Sequence, residues 1–291
     1  MPTFPFVTVD VFTDHRFGGN PLAVFPDARG LADAEMQALA AEFNLSETTF
    51  VLPPDNPANT ARVRIFNRTA EMPFAGHPNV GTGFVLAGRA VEGVLRFEQI
   101  AGLVEVRLAP DGSGATIAAP QPLKVGATLP ADLAAACAGI AEAEVLTARH
   151  PPTLASDGGN PRLLVEVTPA GLAAAAPDAA AFRRALAGHA AVLGNHLSLY
   201  LYRREGDGLR ARMFSPLAGT PEDPATGSAA TPLAGFLLHL SGGESTALNI
   251  TQGVEMGRPS LLRTTARRGP GGIRATVGGG CVPVLRGEAT L

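Results

Sequence analysis

"RIFNRTAEMPFAGHPNVGTGFVLAG" spans residues 64–88, and "RMFSPLAGTPEDPATGSAATPLAGFLLHL" spans residues 212–240. Each begins with Arg-x-Phe, passes through a turn rich in Pro and Gly, and ends in a run of small and apolar residues. Arg64 and Arg212 lie 148 residues apart, about half the chain. Each copy reads as a strand, a turn and a helix that is apolar on nearly every side. Such a helix is buried all round. The pattern predicts an α/β (α+β) protein of two pseudo-symmetric halves, each a curled sheet around a central helix. The Pro- and Gly-punctuated stretch "AAPQPLKVGATLP" (Ala118–Pro130) is the expected linker. The halves are therefore expected at 1–118 and 119–291, with the last strand a candidate to cross back to the first half.

Ahead of the first copy, "ADAEMQALAAEF" places Met36, Leu39, Ala40 and Phe43 at helical spacing. "TTFVLP" follows, β-branched and aromatic, and reads as a short strand. Glu47 sits between the two, flanked by Ser46 and Thr48. "ADLAAACAGIAEAE" and "AAAFRRALAGHAAVLG" are predicted helices of the second half. The terminal "RRGPGGIRATVGGGCVPVLRGEATL" is expected to be a hairpin turning at Gly278–Gly280.

Composition removes several function classes. Of 291 residues 46% are hydrophobic and 17% charged, enough for a sizeable core and unlike a disordered chain. Net charge is −3, there is no Trp, and the basic residues form no run, which argues against nucleic-acid binding. The N-terminus shows no secretion signal and no apolar run reaches the length of a membrane span, so a cytoplasmic protein is expected. Lys124 is the single lysine and stands in a loop-like context, leaving no P-loop and no support for Schiff-base chemistry. The six histidines form no compact metal-ligand spacing, and no GxSxG elbow is present. Neither a metal nor another cofactor is expected.

The turns ahead of the two central helices carry the candidate chemistry. Gly76, His77 and Pro78 precede one; Glu222, Asp223, Thr226, Gly227 and Ser228 precede the other. Unpaired N–H groups at a helix start attract anions, and glycine lets a ligand approach the backbone. If the halves face each other, both helix starts would point into one cleft suited to a small carboxylate. Asp, Thr and Ser before a helix are also ordinary caps. His77 could equally bond a turn carbonyl, and Glu47 alone could be a solvated loop residue.

Taken together, "VDVFTDHRFGGNPLAVF", "FNLSETTFV", "RIFNRTAEMPFAGHP", "RMFSPLAGTPEDPATGSAA" and "QGVEMGRPSLL" resemble the PhzF family of phenazine-biosynthesis-type isomerases. The resemblance runs in family order from Val9 to Leu262 and implies the diaminopimelate-epimerase-like fold. Epimerases of that fold use paired cysteines, whereas Cys137 and Cys281 lie outside both helix-start motifs, so a carboxylate is expected to move the proton. The resemblance implies Glu47 as general acid/base and His77 and Asp223 as polar groups assisting proton placement. It further implies Asn20, Ser46, Gly76, Gly227 and Ser228 as substrate-binding residues. The implied reaction is isomerisation of trans-2,3-dihydro-3-hydroxyanthranilate or a similar small acid, without a cofactor. Alternatives are an isomerase or epimerase of another small carboxylic acid, or a silent carboxylate binder. A homodimer is the expected assembly. Burial beside Phe43 and Phe50 is expected to raise the glutamate above its ordinary ~4.3.

Overall fold

The computed structural model describes residues 2–291. The chain divides into two compact units, Met1–Pro120 with Thr276–Leu291, and Gln121–Ala275.

In the first unit β1 (Thr3–Val11) pairs antiparallel with β2 (Asn20–Phe25), and β2 runs parallel to β3 (Glu47–Leu52). A parallel pair needs a crossover, here made by helix α1 (Asp33–Phe43). Next, β3 pairs antiparallel with β4 (Ala61–Phe66), which pairs antiparallel with the short β5 (Glu71–Met72) and parallel with β6 (Val94–Gln99). The second crossover carries the central helix α2 (Gly76–Val85). Antiparallel β7 (Gly102–Leu108) and β8 (Gly114–Ala118) follow. The long terminal strand, Gly272–Thr290, then joins β8 through residues 276–280 and β1 through 281–290. The sheet thus closes on itself around α2, whose residues 76–83 are all buried.

The sequence explains this local arrangement. Met36, Leu39 and Ala40 of α1 bury against Phe25, Phe50 and Phe66, and Asn44 ends the helix in the left-handed conformation. On α2, a Cβ at Gly81 would meet Leu22 at 2.6 Å, and one at Gly83 would meet Val106 at 2.5 Å. The glycines of "NVGTG" are there because strands lie against the helix backbone.

The second unit repeats the order. β9 (Lys124–Thr128) and β10 (Thr153–Ser156) are antiparallel, α3 (Ala131–Ala138) lying between them in sequence. β10 then pairs antiparallel with β11 (Arg162–Glu166), which runs parallel to β12 (Leu199–Glu205). The crossover is α4 (Pro169–Ala174), α5 (Ala179–Gly188) and α6 (Ala190–Leu193). β12 pairs antiparallel with β13 (Gly208–Ser215), and β13 antiparallel with β14 (Thr220–Asp223) and parallel with β15 (Ser245–Gln252). The central helix α7 (Gly227–Ser241) lies in that last crossover, with residues 229–238 all buried. β16 (Ser260–Gly269) and the terminal strand, β17, complete the repeat.

The duplication reaches individual side chains. Arg64 of β4 holds Glu71 of β5 with two hydrogen bonds of 2.7 Å and lies 5.1 Å over the Phe66 ring. Arg212 of β13 holds Glu222 of β14 with two of 2.8 Å and lies 4.9 Å over Phe214.

Three expectations need correction. The terminal hairpin is one strand, because Gly278 and Gly280 lie inside the ladder with β8. There a Cβ on Gly278 would sit 2.1 Å from Thr116 Oγ1, and one on Gly280 2.6 Å from Thr13 O. These glycines admit a close neighbour rather than make a turn. Lys124–Thr128, inside the expected linker, form strand β9, paired with β10. The central helices begin earlier than expected, at Gly76 and Gly227, so His77, Pro78 and Ser228 lie in their first turns; α7 continues through Pro232.

Candidate active site

Glu47 is the first residue of β3, directly after the turn that ends α1. Its side chain is 18% exposed, and Oε2 lies 3.6 Å from Nε2 of His77. That separation is too long for a hydrogen bond. The imidazole is buried, Nε2 has no hydrogen-bond partner, and burial pushes its pKa from the ordinary value down to about 3. At neutral pH the contact is therefore a neutral imidazole beside a carboxyl group rather than an ion pair. Strand alternation puts Glu47 and Thr49 on the α2 face, where Thr49 Oγ1 meets Thr82 Oγ1 at 2.9 Å. Phe50 points the other way and stacks on Phe25 at 4.9 Å, and Phe43 packs edge-on to Phe25. The burial of Glu47 thus does not come from Phe43 and Phe50, as the sequence suggested.

Asn20 and Ser46 join the same corner. Asn20 is buried, and its Oδ1 accepts a 3.1 Å hydrogen bond from Ser46 Oγ. This ties the start of β2 to the residue before Glu47. Gly76 and His77 open α2, whose preceding Ala75 offers no side-chain cap. Among the described residues the Gly76 and His77 N–H groups have no acceptor. Asn79 instead reaches back to the Ala75 carbonyl at 2.9 Å and is held by Gln99 at the end of β6.

Asp223, Gly227 and Ser228 come together in the second unit. Asp223 Oδ2 accepts from Thr226 Oγ1, so the threonine hydroxyl does not cap α7. The Gly227 and Ser228 N–H groups have no acceptor among the described residues. The capping reading of "EDPATGS" therefore fails on this structure, and the helix start stays open. Buried Gln252, at the end of β15, braces the turn. Its Nε2 donates to Asp223 O (2.7 Å) and Thr226 Oγ1 (3.0 Å), and its Oε1 accepts from Thr226 N (3.2 Å) and Tyr200 OH (3.0 Å). Gln252 and Gln99 brace equivalent turns.

Sequence reading missed Gln99, Gln252 and Arg162. Arg162 Nη2 donates to Ser228 Oγ at 3.0 Å and its Nη1 to Ser198 Oγ at 2.9 Å. The signal that could have found it is a second "GGNP": "GGNPLAVF" begins at Gly18 and "GGNPRLLV" at Gly158. The two cysteines stand apart from this chemistry. Both are buried, Cys137 in α3 and Cys281 in β17, and burial pushes each thiol up to about 12. Among the described residues no helix is long and apolar enough to cross a membrane.

Two duplicated α/β units, each with an uncapped central helix, make up the diaminopimelate-epimerase-like fold. The family model for phenazine biosynthesis-like proteins, PhzC-PhzF, matches residues 9–287, and the chain belongs to that family. It is 40% identical to an uncharacterized isomerase of Mesorhizobium japonicum over 99% of both chains. It is 36% identical to the trans-2,3-dihydro-3-hydroxyanthranilate isomerase of Pseudomonas chlororaphis, over 98% of this chain and 99% of that one. The crystal structure of the Bacillus anthracis phenazine biosynthesis protein of the PhzF family matches the whole of both chains with a TM-score of 0.88 at 23% identity. The protein is a PhzF-like isomerase acting on a small molecule.

Proposed function

We propose that Glu47 takes a proton from one carbon of a small cyclic amino or hydroxy acid and returns it to another. The trans-2,3-dihydro-3-hydroxyanthranilate named for the 36%-identical relative is the leading substrate. The observation that carries this reading is the pairing of Glu47 with an imidazole that stays neutral and has Nε2 unbonded. Neutral His77 can donate or accept one hydrogen bond without adding charge. It thereby assists proton placement at the carboxyl group. Asp223, held by Thr226, is the second polar assistant. Gly76, Gly227 and Ser228 offer backbone N–H groups to the carboxylate, and Asn20 and Ser46 fix the start of β3. The chain needs no cofactor for such a transfer, because the proton leaves and returns on one carboxyl group.

The test is turnover of trans-2,3-dihydro-3-hydroxyanthranilate in deuterium oxide, following label at carbon. Glu47→Gln keeps the shape and removes the titrating group, and should abolish turnover while binding of 3-hydroxyanthranilate persists. A glutamine variant working at the wild-type rate would remove Glu47 from the chemistry. Failure of wild type on this acid, with turnover of another, would move the substrate and leave the carboxyl mechanism.

A further inference from the structure

The stretch "VDVFTDHRFGGNP" (Val9–Pro21) joins β1 to β2 and brings the chain to Asn20. The two "GGNP" stretches allow this join to be compared between the units. In the first, Asp10 pairs with Pro21, and the chain between them runs through residues 11–20. In the second, Ala155 pairs with Arg162, which puts Ser156 opposite Pro161 with only residues 157–160 between them. The fold can therefore make this turn with a short loop and a serine. The unit that holds Glu47 uses a long loop and an aspartate instead.

The long loop is under strain. Phe12 and Phe17 have φ of 67° and 70°, a left-handed conformation that bulky side chains rarely adopt. Phe12 is fully buried, and its N–H donates to Gly280 O at 2.7 Å. Phe17 gains no comparable packing, because its ring is 69% exposed. Its backbone is what is held: the Phe17 N–H donates to Oδ2 of Asp10 at 2.7 Å. Asp10 itself is 3% exposed. Burying a carboxyl group is costly unless it is hydrogen-bonded, and the second unit does without one here. Gly18 and Gly19 follow, both buried, and a Cβ at Gly19 would lie 2.4 Å from Val11 O. The loop thus returns tightly against the end of β1. Asn20 comes next, 1% exposed and accepting from Ser46 Oγ at 3.1 Å. Three residues separate the strained backbone of Phe17 from a side chain of the candidate site.

We propose that Asp10 is a positioning residue. By holding the Phe17 backbone in its left-handed conformation it sets Asn20 and, through Ser46, the start of β3 at Glu47. Its effect on rate through Glu47 rests on the functional reading above; its effect on Asn20 does not. Variants at exposed Phe17 test the backbone without disturbing the core. Phe17→Asn and Phe17→Val both remove the ring, but asparagine tolerates the left-handed conformation and β-branched valine resists it. Phe17→Asn should keep the wild-type kcat on trans-2,3-dihydro-3-hydroxyanthranilate. Phe17→Val should lower kcat roughly tenfold or more, with KM changed less. Asp10→Ala should act like Phe17→Val. Asp10→Asn, which keeps an oxygen acceptor, should recover most of the rate, and Asp10→Ala with Phe17→Asn should be faster than Asp10→Ala alone. Independently of turnover, NMR should show the Asn20 side-chain amide resonances moving in Phe17→Val and Asp10→Ala and staying in Phe17→Asn. Those of Asn79, braced by Gln99 in the same unit, should stay in all three and report an intact fold.

Unmoved Asn20 resonances in Phe17→Val and Asp10→Ala overturn the proposal, whatever the turnover assay gives. Equal rate losses in Phe17→Asn and Phe17→Val also overturn it, because the ring and not the backbone would then matter. Moved resonances with an unchanged rate overturn the link from Asn20 to the chemistry. Moved resonances and lost rate, in a protein whose Glu47→Gln variant works normally, support Asp10 as the anchor of Asn20 and sink the Glu47 reading instead.

Discussion

His77 Nε2 faces Glu47 Oε2 at 3.6 Å without a hydrogen bond, inside a corner where the imidazole is 5% exposed. Burial holds its pKa at about 3, below the ordinary 6.5. Between those values the unfolded chain binds the extra proton and the folded one does not, so stability falls as pH is lowered from 6.5 toward 3. A shift of that size corresponds to a few kcal/mol at most, roughly 1.4 kcal/mol per unit. His77→Gln should flatten the acid limb of stability against pH relative to wild type, as read by urea unfolding at pH 7 and pH 4.5. In NMR the wild-type His77 ring should not titrate between pH 5 and 8. A ring titrating near 6.5 would make the contact an ion pair and remove the neutral imidazole from the mechanism.

The two Arg–Glu pairs should differ in what they contribute. Arg212 is the more buried, its side chain 8% exposed against 14% for Arg64. It also donates to the Leu172 and Ala175 carbonyls at 3.0 and 2.7 Å. Removing one partner of a buried pair leaves an uncompensated charge, typically costing about 3–5 kcal/mol. Glu222→Ala should fall in that range. Glu71→Ala should cost less, since Arg64 is more exposed and keeps Asp33. Equal losses in denaturant midpoints would show that burial does not separate the two pairs.

Much of this was legible in the sequence because it repeats or alternates. The helical spacing of Met36, Leu39 and Ala40 is the buried face of α1, and the Arg-x-Phe triplets mark equivalent strands because each arginine needs an acidic partner on the next strand. Glu47 stood out as a carboxyl group at a helix-to-strand junction. Other features were hidden for physical reasons. Gly278–Gly280 look like a turn, because a glycine that admits a close neighbouring strand is spelled like one that turns the chain. Phe43 and Phe50 flank Glu47 in sequence, yet strand alternation sends Phe50 to the opposite face. Gln99 and Gln252 carry no local pattern, because what they brace lies some twenty residues or more away. Arg162 was readable only by aligning the two "GGNP" stretches.

Asp157 should make the protein less stable in base. Burial raises its pKa from 3.8 to about 7. The folded state therefore holds a proton that the unfolded chain has released, and stability declines as pH rises from about 4 through 7. Asp157→Asn keeps the shape and removes that loss. The variant should gain more at pH 8 than at pH 5, by up to a few kcal/mol at roughly 1.4 kcal/mol per unit. Thermal unfolding at the two pH values measures the difference. A variant equally or less stable than wild type at pH 8 would mean that the ionised carboxylate is well accommodated in the folded protein.

Gln252 should govern the turn that carries Asp223. Its side chain is fully buried and makes four hydrogen bonds, two given by Nε2 and two accepted by Oε1. Gln252→Leu removes all four at nearly constant volume and strands the Thr226 N–H, the Asp223 carbonyl and the Tyr200 hydroxyl in the interior. Each buried group left unsatisfied costs about 1–3 kcal/mol, and the costs overlap because the groups share one turn. A net loss of roughly 2–4 kcal/mol follows if the turn relaxes enough to reach water. That relaxation is local, so the Thr226 amide should exchange with solvent faster at concentrations of denaturant where α1 remains protected. Turnover should fall with it, through Asp223 losing its place rather than through global unfolding. Gln252→Glu keeps the Oε1 acceptor and should restore part of the Thr226 protection. If Thr226 exchanges in the leucine variant only as fast as α1 does, Gln252 is an ordinary core residue and the turn is held by other contacts.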